Sequence, residues 1–215
     1  IDEDALYWLR ARQQVALGAM ATLRKVVDQI DRKTELGGIP RITSFSSVTG
    51  QNYQQMAPLF DYIFPKHYYW HRGFDGLYGT VERWVRKFRE WNPSLSEADG
   101  FLLMKSLFGL ELPGVTSLYD LEMGFPEAFF TQTVYNETKR ALEAIRDINK
   151  AIFWVSTGRY PHAGDPMSAR DLEGILRATQ EAGAERFLFH PDPDPGPGEW
   201  TIISHMCGTP WRQSR

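Results

Sequence analysis

AIFWVS at residues 151–156 and SARDLEGILRATQEAGAERFLFH at residues 168–190 decide the fold. The first is an apolar run of strand length, the pattern of a fully buried strand. The second opens on Ser168-Ala-Arg-Asp171, a capping-box pattern, and carries Leu172, Ile175, Leu176 and Thr179 at helical spacing. Gly183 suits the C-terminal cap of that helix, and RFLFH at 186–190 is a second strand. Strand, helix and strand at this spacing predict a right-handed crossover between parallel neighbours.

The same alternation continues upstream. Leu6, Leu9, Leu17, Met20, Leu23, Val27 and Ile30 trace one apolar stripe along a helix over residues 4–30. Gly37-Gly38 ends the turn after it, and RITSFSSV reads as a strand over 42–48. Asn52 can cap a short helix carrying Tyr53, Met56 and Leu59. DYIFPKHYYWHRGFD, residues 61–75, then begins as a strand over 61–69. Leu77, Val81, Trp84, Val85 and Phe88 mark the next helix. Another spans 94–108 with Ser96 as N-cap, and a third runs from Pro126 to about residue 145. YDLEMG, residues 119–124, reads as a short extended piece before it. A Pro/Asp/Gly loop, PDPDPGPG at 191–198, leads to a last helix over 199–206.

Four strands, near 42–48, 61–69, 151–156 and 186–190, predict an α/β fold of parallel β/α units in a single domain over residues 1–215. Four units are about half of a (β/α)8 barrel, which typically takes ~250 residues, and four parallel strands leave two bare edges. The chain starts IDED, without Met, directly on a helical pattern. The expectation is the carboxyl-terminal part, roughly half to most, of such a barrel. Its amino-terminal half, outside this chain, is then a partner.

Composition narrows the function. A net charge of -3 and the lack of a basic stripe argue against nucleic acid. Arg83, Arg86, Lys87 and Arg89 sit beside Glu82 and Glu90 on a helix and read as a solvated face. One cysteine, Cys207, excludes an intrachain disulfide framework and a Cys-rich zinc site, and leaves the compartment open. No apolar run is long enough to span a membrane. There is neither a Walker-type loop nor a G-x-G-x-x-G after a strand. Ser156 with His162 lacks the G-x-S-x-G elbow of a serine hydrolase.

The chemistry gathers at the ends of the strands. Lys66, His67, Tyr68, Tyr69, Trp70, His71 and Arg72 stand in consecutive positions. Alternate residues of a strand point opposite ways, and both sets here are polar-tipped. The run is therefore expected to enter a ligand pocket, whereas Tyr62 and Trp154 suit the core.

DPMSARDLEGILRATQEAGAERFLFH resembles the seventh helix and eighth strand of TIM-barrel glycoside hydrolases. On that resemblance KAIFWVSTGRY is similar to a seventh strand, DYIFPKHYYW to a sixth and RITSFSSV to a fifth. The likeness is specific over residues 150–190 and topological elsewhere. It implies a carbohydrate site, needing no cofactor, at the carboxyl ends of the strands, lined by Lys66, His67, Tyr68, Tyr69, Trp70, Trp154, Arg159, His162, His190 and Asp192. Glycoside hydrolysis takes two carboxyl groups. The family's strand-four acid would precede Ile1, and no Asp or Glu stands where its strand-seven nucleophile should. Asp120 and Glu122 are the best catalytic pair available, sharing one face of an extended segment at about 6.5 Å. The competing reading makes them a loop pair capping the next helix.

Two other classes stay open. A metal-dependent, amidohydrolase-like barrel would use His67, His71, His162, His190 and Asp192. A non-catalytic barrel would use its aromatics to bind sugar or a protein partner.

Overall fold

The computed structural model describes residues 2–157, 167–190 and 195–208. Its strands are short and parallel: β1 (Gly37–Gly38), β2 (Tyr62–Ile63), β3 (Lys66–His67), β4 (Phe153–Ser156) and β5 (Phe187–His190). β1 pairs with β2 in one small sheet, and β3, β4 and β5 follow in that order in a second. Pro65, which has no N–H for a ladder, stands between β2 and β3. The ladder to the next strand nevertheless runs on past it. Ile152 donates to the carbonyl of Ile63 and Trp154 to that of Pro65, each at 2.9 Å.

Helices fill the connections. α1 (Glu3–Ile30) precedes β1, and α2 (Thr43–Ser46) and α3 (Tyr53–Met56) lie between β1 and β2. Between β3 and β4 come α4 (Leu77–Trp91), α5 (Glu97–Phe108), α6 (Leu118–Met123), a π-helical stretch (Phe129–Val134) and α7 (Tyr135–Ile145). α8 (Ala169–Glu181) joins β4 to β5, and α9 (Pro197–Met206) follows β5. The parallel strand–helix–strand unit over 151–190 is thus present. Ser168 caps α8 by accepting from the Asp171 N–H at 3.1 Å.

One face of the strands meets the helices. Ile63, Phe153 and Val155 are fully buried, as are Leu172, Ile175 and Leu176 of α8. Each such side chain stabilises the fold by roughly 1.5–3 kcal/mol relative to exposure. The opposite face is less covered, with Leu188 of β5 40% exposed. α1 is anchored by Leu17 and Met20 against the core around Tyr53, Met56 and Ile63 and by Arg24, 2.9 Å from Asp61. Its Trp8, Val15, Leu23, Val26 and Ile30 stay exposed.

Two expected elements are corrected. The strand over 42–48 is helical, α2 followed by a 3-10 turn (Ser47–Thr49). Ile42 and Phe45, three residues apart, are both buried on one helical face. The carboxylate of Glu137 fixes this turn, accepting from Thr43 Oγ1 at 2.5 Å and from the Ser44 N–H at 3.0 Å. The strand itself is the Gly37-Gly38 pair. A Cβ on Gly37 would lie 2.2 Å from the Phe64 ring, which packs into the space the glycine leaves.

The second correction concerns YDLEMG, which lies mostly within α6 instead of being extended. Ser117 and Asp120 form a capping box, each side chain accepting from the other's backbone N–H.

Candidate functional site

The strand ends build one pocket of about 340 Å³, lined by Lys66, Tyr68, His71, Gly73, Phe74, Asp75, Trp154 and His190. The parallel register explains the grouping. Lys66 stands beside Trp154, and Ser156 beside His190, while side chains two apart along a strand share a face. Lys66, Tyr68, Trp154 and His190 therefore converge on one pocket.

The helix-facing half of the run does not join them. His67 is 1% exposed, with Nδ1 3.2 Å from the Thr179 hydroxyl of α8 and its ring 4.7 Å from that of Phe153. Burial drives the His67 pKa down to about 3. Tyr69 and Trp70 are buried against the π-helical stretch. Tyr69 meets Phe129 edge-on at 5.4 Å, and Trp70 meets Phe125 edge-on at 4.8 Å. All three pack the core, against the expectation of a two-faced pocket run. Trp154 is partly exposed and lines the pocket instead of filling the core.

A loop closes the pocket, and α4 holds that loop. The first amides of α4 and their neighbour donate backward, Leu77 to the carbonyl of Tyr68 at 2.8 Å and Tyr78 to that of Tyr69 at 3.0 Å. Such amides otherwise lack helical partners. The approach is so close that a Cβ on Gly76 would sit 1.8 Å from the His71 carbonyl oxygen. From the other side the Arg41 guanidinium donates to the carbonyl of Phe74 and, at 2.5 Å, to Thr80 Oγ1. Burial lowers the Arg41 pKa.

Within the pocket, Lys66 Nζ lies 2.6 Å from Asp75 Oδ2. The Tyr68 ring is set edge-on to Trp154 at 5.9 Å and to His190 at 5.8 Å. Burial, and after it the Asp75 charge, holds the Tyr68 phenol well above its ordinary pKa, so it stays a hydrogen-bond donor. Asp75 and His71 are absent from the strand-end set of binding residues. Asp75 carries a weak signal, a carboxylate between Gly73 and Gly76 directly after the aromatic run.

Asp120 and Glu122 sit on α6 and do not line this pocket. Asp120 Oδ2 accepts from the N–H groups of Thr116 and Ser117 at 3.0 and 2.9 Å. Hydrogen bonds, led by the Thr116 backbone, hold its carboxyl below the usual range, which suits a cap and not a general acid. Glu122 takes Arg72 in a two-pronged pair, with one arm at 2.7 Å, and accepts from the Tyr78 hydroxyl. Burial, then that hydrogen bond, pushes the Tyr78 pKa up to about 12. Glu122 thus braces the loop through Arg72.

Arg159, His162 and Asp192 lie outside the described residues. Among the described residues no three His, Cys, Asp or Glu side chains are grouped to hold a metal ion. His71 and His190 share the pocket, whereas His67 faces the helices. No described helix is long and apolar enough to cross a membrane. In comparison with known proteins, no family model matches the chain, and neither a curated protein nor a solved structure shows significant similarity to it.

Proposed function

We propose that the strand-end pocket binds a carbohydrate and that the chain is the carboxyl-terminal part of a (β/α)8 barrel of glycoside hydrolase type. One observation carries the reading: Lys66, Tyr68, Asp75, Trp154 and His190 line a single pocket at the carboxyl ends of adjacent parallel strands. Parallel α/β folds bind ligands at that end. Rings offer apolar faces to the C–H groups of a pyranose, and the ion pair offers donors and an acceptor to its hydroxyls.

The barrel part rests on what the strands leave unfilled. Among the described residues β1 and β5 each pair with one strand, and β3 likewise pairs only with β4. Parallel sheets are ordinarily covered on both faces, yet Leu188 is open here, as are Trp8, Val15 and Ile30 of α1. Further parallel β/α units would pair both edges and cover these groups. Asp75 is the one carboxylate among the described pocket residues. Cleavage by acid/base chemistry takes a second carboxyl group, which would come from outside the described residues.

The test is a titration of the chain with neutral mono- and oligosaccharides, followed by calorimetry and by tryptophan fluorescence. Saturable binding that weakens at least tenfold in Trp154→Ala is the expected result. Absence of binding across the panel, or binding indifferent to both Trp154→Ala and Asp75→Asn, would overturn the reading.

A further inference from the structure

We propose that the Lys66–Asp75 pair is a receptor for a vicinal diol, two free hydroxyl groups on neighbouring carbons of one sugar ring. This deepens the carbohydrate reading and rests on it. The pair is only partly buried, with side-chain exposures of 15% and 27%, so a ligand can reach it without opening the core. Lys66 Nζ carries three N–H donors, of which one goes to Asp75 Oδ2 at 2.6 Å. Its charge also lies over the Tyr68 ring, 5.5 Å from the centroid. Asp75 Oδ1 accepts no hydrogen bond from any described residue. The pocket therefore presents, side by side and already held together, unused ammonium donors and an unused carboxylate acceptor.

Two neighbouring hydroxyls complement that pattern. One accepts from Nζ while the other donates to Oδ1. Because Nζ is held against Oδ2, a free ammonium donor and the second oxygen of the same carboxylate stand together, and neighbouring hydroxyls on a pyranose are close enough, roughly 2.8 Å apart, to address both. Bonds to charged groups are the stronger kind. A ligand carboxylate fits poorly, because it brings a second negative charge to Asp75. A methyl ether also fits poorly, because it cannot donate. Tyr68 and Trp154 stand beside the pair and supply apolar ring surface for the C–H face.

The experiment needs no variant at its core. A methyl hexopyranoside that the chain binds is compared by calorimetry with its full set of mono-deoxy and mono-O-methyl derivatives. Derivatives altered at either position of one adjacent pair should bind about tenfold to a hundredfold more weakly, and those altered elsewhere should bind about equally. Asp75→Asn should remove this discrimination, while Trp154→Ala lowers every affinity and keeps the ranking. If the parent sugar binds and every derivative binds alike, the diol receptor is refuted and the carbohydrate site stands. If no sugar binds, both fall.

Discussion

Acid should loosen this fold through one imidazole. His67 is buried on the helix side of β3 among Phe153, Tyr69 and Thr179. Burial lowers its pKa from 6.5 to about 3. The folded state therefore holds His67 neutral, while the unfolded chain takes up a proton once the pH drops through about 6.5. Between those two values the unfolded state binds more protons, so stability is full above pH 6.5 and falls as the pH drops toward 3. Each pH step inside the window costs about 1.4 kcal/mol. Between pH 7.5 and pH 5.0 the loss is about 2 kcal/mol, or a fall in Tm of roughly 4–8 °C for a chain of this length. Carboxylates titrate in the same range, so the measurement is a difference. Urea unfolding of the parent and of His67→Asn is compared at several pH values, since Asn cannot take up the proton. The parent should lose about 2 kcal/mol more than the variant over that interval. A difference that stays constant within ~0.5 kcal/mol would refute the account of His67 as a neutral core residue.

Other outcomes test the scaffold. Glu137→Ala strips a buried acceptor from Thr43 and Ser44 and should destabilise the chain by about 3–5 kcal/mol in urea. Gly76→Ala places a Cβ against the His71 carbonyl and should cost about 1–3 kcal/mol while weakening sugar binding, because the shift falls on the pocket loop. Ser117→Ala removes the α6 cap and should cost about 1 kcal/mol in thermal unfolding. Asp120→Asn should leave sugar affinity within about twofold in calorimetry, since its carboxylate serves the cap and not the pocket.

The parallel units over 151–190 were legible because their signals are local and mutually consistent. A capping serine, a helical apolar period, a terminal glycine and two apolar runs all agree there. β1 was illegible for the opposite reason. Gly37-Gly38 has the composition of a turn, and its strand geometry comes from pairing with Tyr62 and Ile63, with Phe64, Met56 and Phe60 packed into the space the two glycines leave. α2 was hidden too, because the group that winds it, Glu137, lies 93 positions from Ser44. In YDLEMG the decisive residue stood two positions upstream of the motif. Ser117 with Asp120 is a readable box, and it outweighs the alternation that Asp120 and Glu122 suggested.

The site was half legible, and strand alternation explains the sorting of Lys66, His67, Tyr68 and Tyr69, whereas Trp70 and His71 lie farther past the end of β3 and do not follow it. A consecutive run of polar-tipped residues cannot all enter one pocket, because a strand sends neighbours to opposite faces. Register then decides the sorting. Lys66 beside Trp154 faces the pocket, and His67 beside Val155 faces α8. The polar tips of the helix-facing set do not demand a ligand. The His67 ring is near a threonine hydroxyl, and Tyr69 and Trp70 contribute ring area against Phe125, Phe129 and Phe130. Asp75 follows from the opposite logic. It belongs to no periodic pattern and reaches Lys66 because Gly76 and Gly79 let α4 draw the loop back over the strand end. Side chains that complete a site from a loop are set by where the backbone can go. Here the glycines, more than the aromatic run, mark where the pocket closes.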